Sequence, residues 1–480
     1  MKNIERIKSF LLAFLVLTTI YLAQQLWIEF PSELLSSFAF GQESTSGKEY
    51  TLPDFILPEK YIVNFGGKNR AVLYFDEDYE LWDKSKEILK VVFQSKNLII
   101  EEIGNEELES ISKRRSIYFY FPDELYTFIF SKMFGGDITS SMNDSVKKIN
   151  SIYINLDSAR DSFIVLGDDS KYYKISGPKL DVESLRDVID KISKSNYTRA
   201  YTITELLAAD NSTYLPLEMN FNLSQVYVRQ EIDVNSEVEE DSIARLFFDR
   251  DLAYIRRIEE NNGSVIYIDS QRTLKIHENG TLEYFKAIEA DVEEGNLHSS
   301  LSNSIDFINT HLGWPKDTYL FKIDEIQFDN TKGYKFIFKY KMDGLTVISD
   351  YSGEINSIEI EVLNNQVRSY KRRIWEQIGK VKPKSGYKSM LSAYDIIDKN
   401  YSFIKTRYIE DNEIAIEEAI DIDLDEAVKS SIKDAYLVYY DNLAEENQVL
   451  KPTWIIDVAG YSYIFDAYDG YVENGGNPRQ

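Results

Sequence analysis

The sequence predicts an α+β protein held on one N-terminal transmembrane helix, and three observations predict it. Residues 9–28 form a single uncharged apolar run. Beyond residue 59, short strand-like runs are interleaved with helix-period segments. In the second half, a helix followed by a four-strand pattern occurs twice. The expected organisation is a cytoplasmic tip and anchor (1–30), a stalk (31–58), an irregular mixed α/β domain (59–225), and two related domains (226–380 and 381–476). Each of the last two is a helix packed on an antiparallel meander sheet.

The run Ser9–Ile28 (SFLLAFLVLTTIYLAQQLWI) is long enough, at ~1.5 Å per residue, to cross a hydrocarbon core of about 30 Å. Lys2, Arg6 and Lys8 precede it with only Glu5 opposing, and Glu29 and Glu33 follow. That asymmetry places the N-terminus in the cytoplasm and the bulk of the chain outside the cell membrane. Trp27 stands at the interfacial position. A cleaved signal peptide is the competing reading; Ser37-Phe38-Ala39 fits its cleavage pattern only loosely, and the long span favours an uncleaved anchor. Thr18, Tyr21 and Gln25 share one helical face, which suits contact with another membrane helix. Against this stands simple hydration of Gln24 and Gln25 at the headgroup level.

Residues 31–58 mix Ser, Gly, Glu and Pro without period and read as stalk. Tyr61–Phe65 and Ala71–Phe75 pair across Gly66-Gly67, and Leu81, Ile88, Leu89 and Val92 mark a helix. Ile117–Phe121 is a strand closed by Pro122. Strands follow at 152–156, 163–166 and 172–175, then a helix over 182–195 capped by Asp181. Strands over 226–232, 265–269, 274–277 and 282–285 lead into the repeat. Its first copy has a helix over 297–312 and strands over 319–328, 334–341, 353–362 and 366–375. The second has a helix over 390–401 and strands over 414–424, 435–440, 453–458 and 461–467. Turn chemistry stands at Asp343-Gly344, Asn364-Asn365 and Asp469-Gly470, and the join falls at 379–386.

Composition removes several function classes. There is no cysteine, so no disulfide frame, zinc ribbon or thiol nucleophile is available. The net charge of −26 argues against a nucleic-acid binder. His277, His298 and His311 form no metal-ligand spacing. The Ser-x-x-Lys pairs at 110/113, 145/148, 385/388 and 430/433 lack the companion boxes of penicillin-binding enzymes. Asp421, Asp423 and Asp425 resemble the start of a calcium loop, but Glu426 replaces its turn glycine, so the alternation reads as the wet face of a strand. Asp76/Asp78 and Glu239/Glu240 are unspecific in a chain with 80 acidic residues. No phosphate loop is present. The sequence therefore gives no catalytic, cofactor-binding or metal residue.

One charge anomaly stands out. Arg368, Lys371, Arg372, Arg373, Lys380, Lys382, Lys384 and Lys388 are opposed in their stretch by Glu376 alone. They either settle against acidic neighbouring domains or form a docking patch for an acidic partner or anionic envelope polymer.

Glu5-Arg6-Ile7-Lys8-Ser9 running into an apolar span that ends in Leu26-Trp27 resembles the start of YycH-type regulatory proteins of Gram-positive bacteria. Trp454-Ile455-Ile456-Asp457-Val458 and then Tyr461–Glu473 (YSYIFDAYDGYVE) are similar to the terminal strands of YycH and its smaller relative YycI. The resemblance implies a three-domain extracytoplasmic protein whose central and C-terminal domains share a fold. It implies no enzymatic activity and no cofactor. It also implies a role, with a YycI-like partner, in controlling the WalK (YycG) sensor histidine kinase, hence the WalR regulator and cell-wall metabolism. In that family the membrane helix contacts the kinase, which would give Thr18, Tyr21 and Gln25 their role. The alternative is an anchored cell-envelope enzyme or polymer-binding protein.

Overall fold

The computed structural model describes residues 50–478 apart from 75–78, 138–139, 158–161, 169, 289–295, 329–330, 350–356, 382–388, 415–422 and 442–448. The expected membrane helix, with Thr18, Tyr21 and Gln25, lies outside the described residues, as does the stalk through residue 49. Among the described residues no helix is long and apolar enough to cross a membrane.

The first module is an antiparallel sheet in the order β2-β1-β4-β5-β6-β7-β3. Its strands are β1 (Lys60–Gly66), β2 (Asn69–Leu73), β3 (Ile99–Ile103), β4 (Ser116–Tyr126), β5 (Lys148–Asn155), β6 (Ile164–Gly167) and β7 (Tyr172–Ser176). Gly66 and Gly67, at φ +112° and +66°, make the β1–β2 turn that only glycine adopts without strain. Two amphipathic helices cover the sheet, α1 (Leu81–Gln94) and α2 (Glu183–Lys194). α2 buries Leu185, Val188, Ile189 and Ile192, one stripe at helical spacing, and begins one residue later than the sequence suggests. β4 does not stop at Pro122. Pro122 sits where pairing with β5 lapses between Tyr120 and Leu125, so no ladder hydrogen bond is lost there. A small hairpin, β8 (Ala200–Thr202) with β9 (Tyr214–Pro216), completes this module.

Residues 50–58 are not free stalk. Leu52–Phe55 form a helical turn, at whose start the Thr51 N–H and hydroxyl both donate to the Asp54 carboxylate at 2.9 Å. Phe55 and Ile56 are completely buried.

The remaining strands join one branched sheet. β10 (Gln225–Gln230) is followed by the helix α3 (Glu237–Phe247), which the sequence reading did not anticipate, and by β11 (Arg256–Glu259), β12 (Val265–Ile268), β13 (Arg272–Ile276) and β14 (Leu282–Lys286). The first repeat unit then consists of α4 (Leu297–Thr310), β15 (Thr318–Phe328), β16 (Thr331–Met342), β17 (Leu345–Ser349), β18 (Ile358–Leu363) and β19 (Gln366–Arg372), and β20 (Trp375–Val381) leads out of it. α4 lies across β16, β18 and β19 and buries Leu301, Ile305 and Ile308 against them. The second unit has α5 (Ala393–Asp411), α6 (Leu424–Ser430), β21 (Ile432–Asp441), β22 (Val449–Val458), β23 (Tyr461–Asp466) and β24 (Val472–Pro478).

In this second unit the meander is displaced by one strand from its expected position. It starts at β21 and ends at β24, whereas Leu424, expected to close a first strand, opens a helix. The Asp423-x-x-Glu426 spacing decides this. The Asp423 carboxylate accepts the Glu426 N–H at 3.1 Å as an N-cap, and Asp425 in the first turn takes the Lys405 ammonium at 2.7 Å and the Tyr401 hydroxyl at 3.1 Å. The wet-strand reading of Asp423 and Asp425 is therefore wrong; Asp421 lies outside the described residues.

β17 links the two units. After the Asp343-Gly344 turn, at φ +49° and +82°, it pairs with β16 only at Lys341↔Thr346 and Met342↔Leu345. It then runs parallel to β21 from Thr346↔Val438 to Ser349↔Asp441. At the other side, β10 pairs with both β20 and β22. Each unit thus supplies ladder hydrogen bonds to the other. A fragment of residues 389–480, lacking β17 and β10, should show no cooperative thermal transition by circular dichroism. Residues 222–480 should show one; a cooperative melt of the shorter fragment would contradict this interdependence.

Candidate functional site

The basic run of residues 368–380 is turned inward as much as outward. Strand alternation puts Tyr370 and Arg372 of β19 on the covered face. Arg372 is 1% exposed; its guanidinium grips the Glu231 carboxylate at 2.5 and 2.7 Å and donates to the Gly313 carbonyl at 2.7 Å. Burial opposes its charge, but Glu231 and the Tyr370 hydroxyl outweigh that and raise its pKa. Arg373, also buried, lies over the Trp375 ring and 3.4 Å from Asp441, whose carboxylate accepts the Trp375 indole N–H at 2.9 Å. These two arginines therefore do not belong to a docking surface; Arg372 ties β19 to the segment that follows β10, and Arg373 reaches across to Asp441 of the second unit. Arg368 stacks between Phe328 and Phe285 and pairs with Glu361 at 3.2 Å. Lys371 pairs with Glu283 at 3.4 Å and Lys380 with Asp343 at 2.8 Å. Lys382, Lys384 and Lys388 lie outside the described residues.

The histidines and acid pairs serve local structure. His311 stacks on Phe307 at 3.9 Å with Nδ1 2.7 Å from the Phe307 carbonyl, and His277 is 3.4 Å from Glu283. Burial lowers the pKa of His298 and His311. Glu240 pairs with Arg257 at 2.9 Å, and Glu239 accepts the Asp233 N–H. Lys113 pairs with Glu109, and the Ser430 hydroxyl donates to Glu426. Among the described residues no three His, Asp or Glu side chains gather as a metal site.

The unusual chemistry is concentrated where the modules meet. Phe55 packs on Trp314 at 4.2 Å and on Phe338 at 5.5 Å, both from the first repeat unit and the loop before β15. One residue on, the Ile56 carbonyl accepts the indole N–H of Trp82, from the first module, at 2.9 Å. Lys341 donates to the Pro58 carbonyl at 3.1 Å, and Asn309 donates to the Tyr50 carbonyl at 3.1 Å. Lys60, buried at the start of β1, forms an ion pair with Asp434 of β21 above the Tyr120 ring. Nearby, Tyr74 meets Trp454 edge-on at 5.8 Å. Asn211 donates to the Lys429 and Ile432 carbonyls at 3.0 and 2.7 Å, capping the C-terminal end of α6 from the first module. Residues 50–60 therefore touch all three modules within one short stretch.

Charges of both signs are enclosed there. Burial and the neighbouring Asp434 raise the Glu59 pKa, while Lys60, Lys341 and Lys339 oppose the rise. Lys339, on β16, holds its ammonium 3.4 Å over the Phe321 ring. Burial pushes its pKa down to about 8, against the pull of Glu59, Asp457 and Asp123 and with a small contribution from Lys322. Sequence reasoning missed this junction because its residues come from distant segments. The one local signal was the apolar Phe55-Ile56-Leu57 run between Pro53 and Pro58.

Residues 233–464 match the family model described as YycH protein, C-terminal domain. The chain is a YycH-type protein. The YycH C-terminal domain starts just before α3 and ends within β23, so it takes in the first repeat unit and the second as far as β23. The YycH family is a regulatory family, not known for catalysis, and it is associated with the WalK (YycG) kinase system. No curated protein and no solved structure matches the chain.

Two measurements probe this YycH-type junction and seam. Arg372→Ala strands the Glu231 carboxylate in the core and should cost about 3–5 kcal/mol in denaturant unfolding. Replacing both partners with apolar residues (Arg372→Met with Glu231→Leu) should recover most of that loss. For Lys339, folded and unfolded chains both carry the proton below pH 8. Between pH 8 and 10.5 only the unfolded chain keeps it, so stability rises with pH, by at most about 3 kcal/mol. Lys339→Met should be the more stable protein near pH 7 and should lose most of that advantage near pH 10. An equal difference at both pH values would refute the assignment.

Proposed function

We propose that this protein is a membrane-anchored, extracytoplasmic regulator of a WalK (YycG)-like sensor histidine kinase, acting by contact and not by catalysis. The observation that carries the reading is the match of residues 233–464 to the YycH C-terminal domain. Supporting it are the uncharged run Ser9–Ile28, the basic residues before it, and the absence of any motif for chemistry. In this reading the N-terminus is cytoplasmic and the anchor packs beside a kinase helix through Thr18, Tyr21 and Gln25. The three modules outside hold a YycI-like partner. Lateral packing biases the kinase between its signalling states in proportion to the difference in contact each state offers.

Purification of the tagged full chain from membranes tests this directly. A histidine kinase and a YycI-like protein should co-elute with the wild type. Thr18→Leu with Gln25→Leu should lower kinase recovery several-fold while leaving the chain in the membrane. Elution of the wild type without a kinase would overturn the proposal.

A further inference from the structure

We propose that residues Tyr50–Lys60 are a reversible coupling strap, through which the position of the membrane anchor is set by the arrangement of the three modules. The inference rests on the anchored-regulator reading and adds a route of communication to it. The chain reaches β1 only after docking elsewhere. Phe55 is seated against Trp314 and Phe338 of the central unit before Lys60 opens the first module's sheet. The strap is held by single side-chain to backbone bonds, from Asn309 to the Tyr50 carbonyl, Trp82 to the Ile56 carbonyl and Lys341 to the Pro58 carbonyl. Its first backbone bond to a sheet comes at Glu59, whose N–H donates to the Tyr120 carbonyl of β4 at 2.8 Å. Residues 50–58 of it can release as a unit without dismantling either sheet, because the ladder begins only at Glu59 and Lys60. Its last residue, Lys60, is tied to Asp434 of the C-terminal unit. A shift of the first module relative to the joined repeat units therefore pulls on the strap at Lys60 while Phe55 holds it at the other end. Any anchor preceding residue 50 inherits the result: docked, it is tethered to the central unit; undocked, it gains the length of the strap.

The chain has no cysteine, so an introduced pair reports without background. In the full chain reconstituted into nanodiscs with the kinase, Tyr50→Cys/Asn309→Cys closed by a short thiol cross-linker locks the strap. Phe55→Ala releases it, raising the undocked population on the order of 100-fold or more. Hydrogen exchange of peptides covering 50–60 should accelerate accordingly in Phe55→Ala, while β5 and β22 keep their protection. Kinase autophosphorylation should move in opposite directions in the locked and released proteins. Should Phe55→Ala fail to fold, Asn309→Ala serves as the milder releasing variant beside the cross-linked pair. Unchanged exchange of 50–60 in the releasing variant refutes a releasable strap. Equal kinase output from both variants, with the kinase still bound, refutes the coupling and leaves the regulator reading intact. If no kinase is bound at all, the regulator reading fails and the coupling fails with it.

Discussion

The ion pair between Lys60 and Asp434 constrains everything around it. Lys60 is the first residue of the hairpin at the edge of the first module's sheet, and Asp434 lies on the first strand of the last unit. A buried ammonium cannot be left without its counter-charge except at a cost of several kcal/mol. The first module is thereby bound to the C-terminal unit, although the central unit lies between them in sequence. The same enclosure lifts Glu59 and depresses Lys339, which face one another across the junction. Buried ionic groups of this kind add little net stability compared with apolar packing. Their effect here is on arrangement: Lys60 pairs with Asp434 of the last unit, and Glu59 and Lys339 lie in one another's field across the junction.

The second constraint is the sheet shared by the repeat units. β17 leaves the first unit after two pairs with β16 and spends its remaining length on β21. Asp441 of β21 takes the Trp375 indole N–H and lies 3.4 Å from the buried Arg373, contacts that hold only while the units stay in register. The duplicated halves therefore act as one body, and the family's domain match, 233–464, runs through the first and into β23 of the second. Relative motion, where it occurs, falls between this body and the first module. The strap and the Lys60 pair span that same interface.

Local periodicity made much of this legible in advance. The β1–β2 hairpin, α1, α2, α4 and the strands from β12 to β16 follow from alternation, helical spacing and turn residues. What periodicity could not deliver was partnership over distance. Leu345–Ser349 follows the Asp343-Gly344 turn and belongs to no expected strand, and its main partner, β21, is remote in sequence. Residues 50–58, rich in proline and next to a Ser/Gly tract, read as stalk because Phe55 and Ile56 are apolar for reasons found only on Trp82, Trp314 and Phe338. The Asp423 region offered two patterns, and the helix cap prevailed over alternation because it satisfies an otherwise orphaned backbone N–H. The basic run was found by counting, but counting carries no direction. β19 turns Arg372 into the core beside Glu231, and the turn-linked Asp343 neutralises Lys380. Of the candidate docking charge, Arg372 and Arg373 are internal electrostatics, while the side chains of Lys371 and Lys380 stay exposed beside acidic neighbours.

Magnitudes limit how such a protein can signal. Burying a phenylalanine side chain fully is worth roughly 1.5–3 kcal/mol, whereas moving a two-state equilibrium from 1:99 to 99:1 takes about 5.5 kcal/mol. Docking of Phe55 alone would therefore give a graded bias and not a switch. A full transition requires Phe55 to release together with something else that is lost only when the modules part. The Lys341–Pro58 and Trp82–Ile56 hydrogen bonds add about 1 kcal/mol each. The Lys60–Asp434 pair adds more if separation leaves either charge enclosed, and little if both reach water. Lys60 is buried in the first module by its own sheet and the Tyr120 ring, while Asp434 is the more open partner. The penalty of parting thus falls mainly on the lysine side, within the module that the strap enters. Release of Phe55 and opening of the ion pair are for that reason one event: an undocked strap with Lys60 still paired keeps the modules together, and a parted pair with Phe55 still seated leaves a buried cation uncompensated.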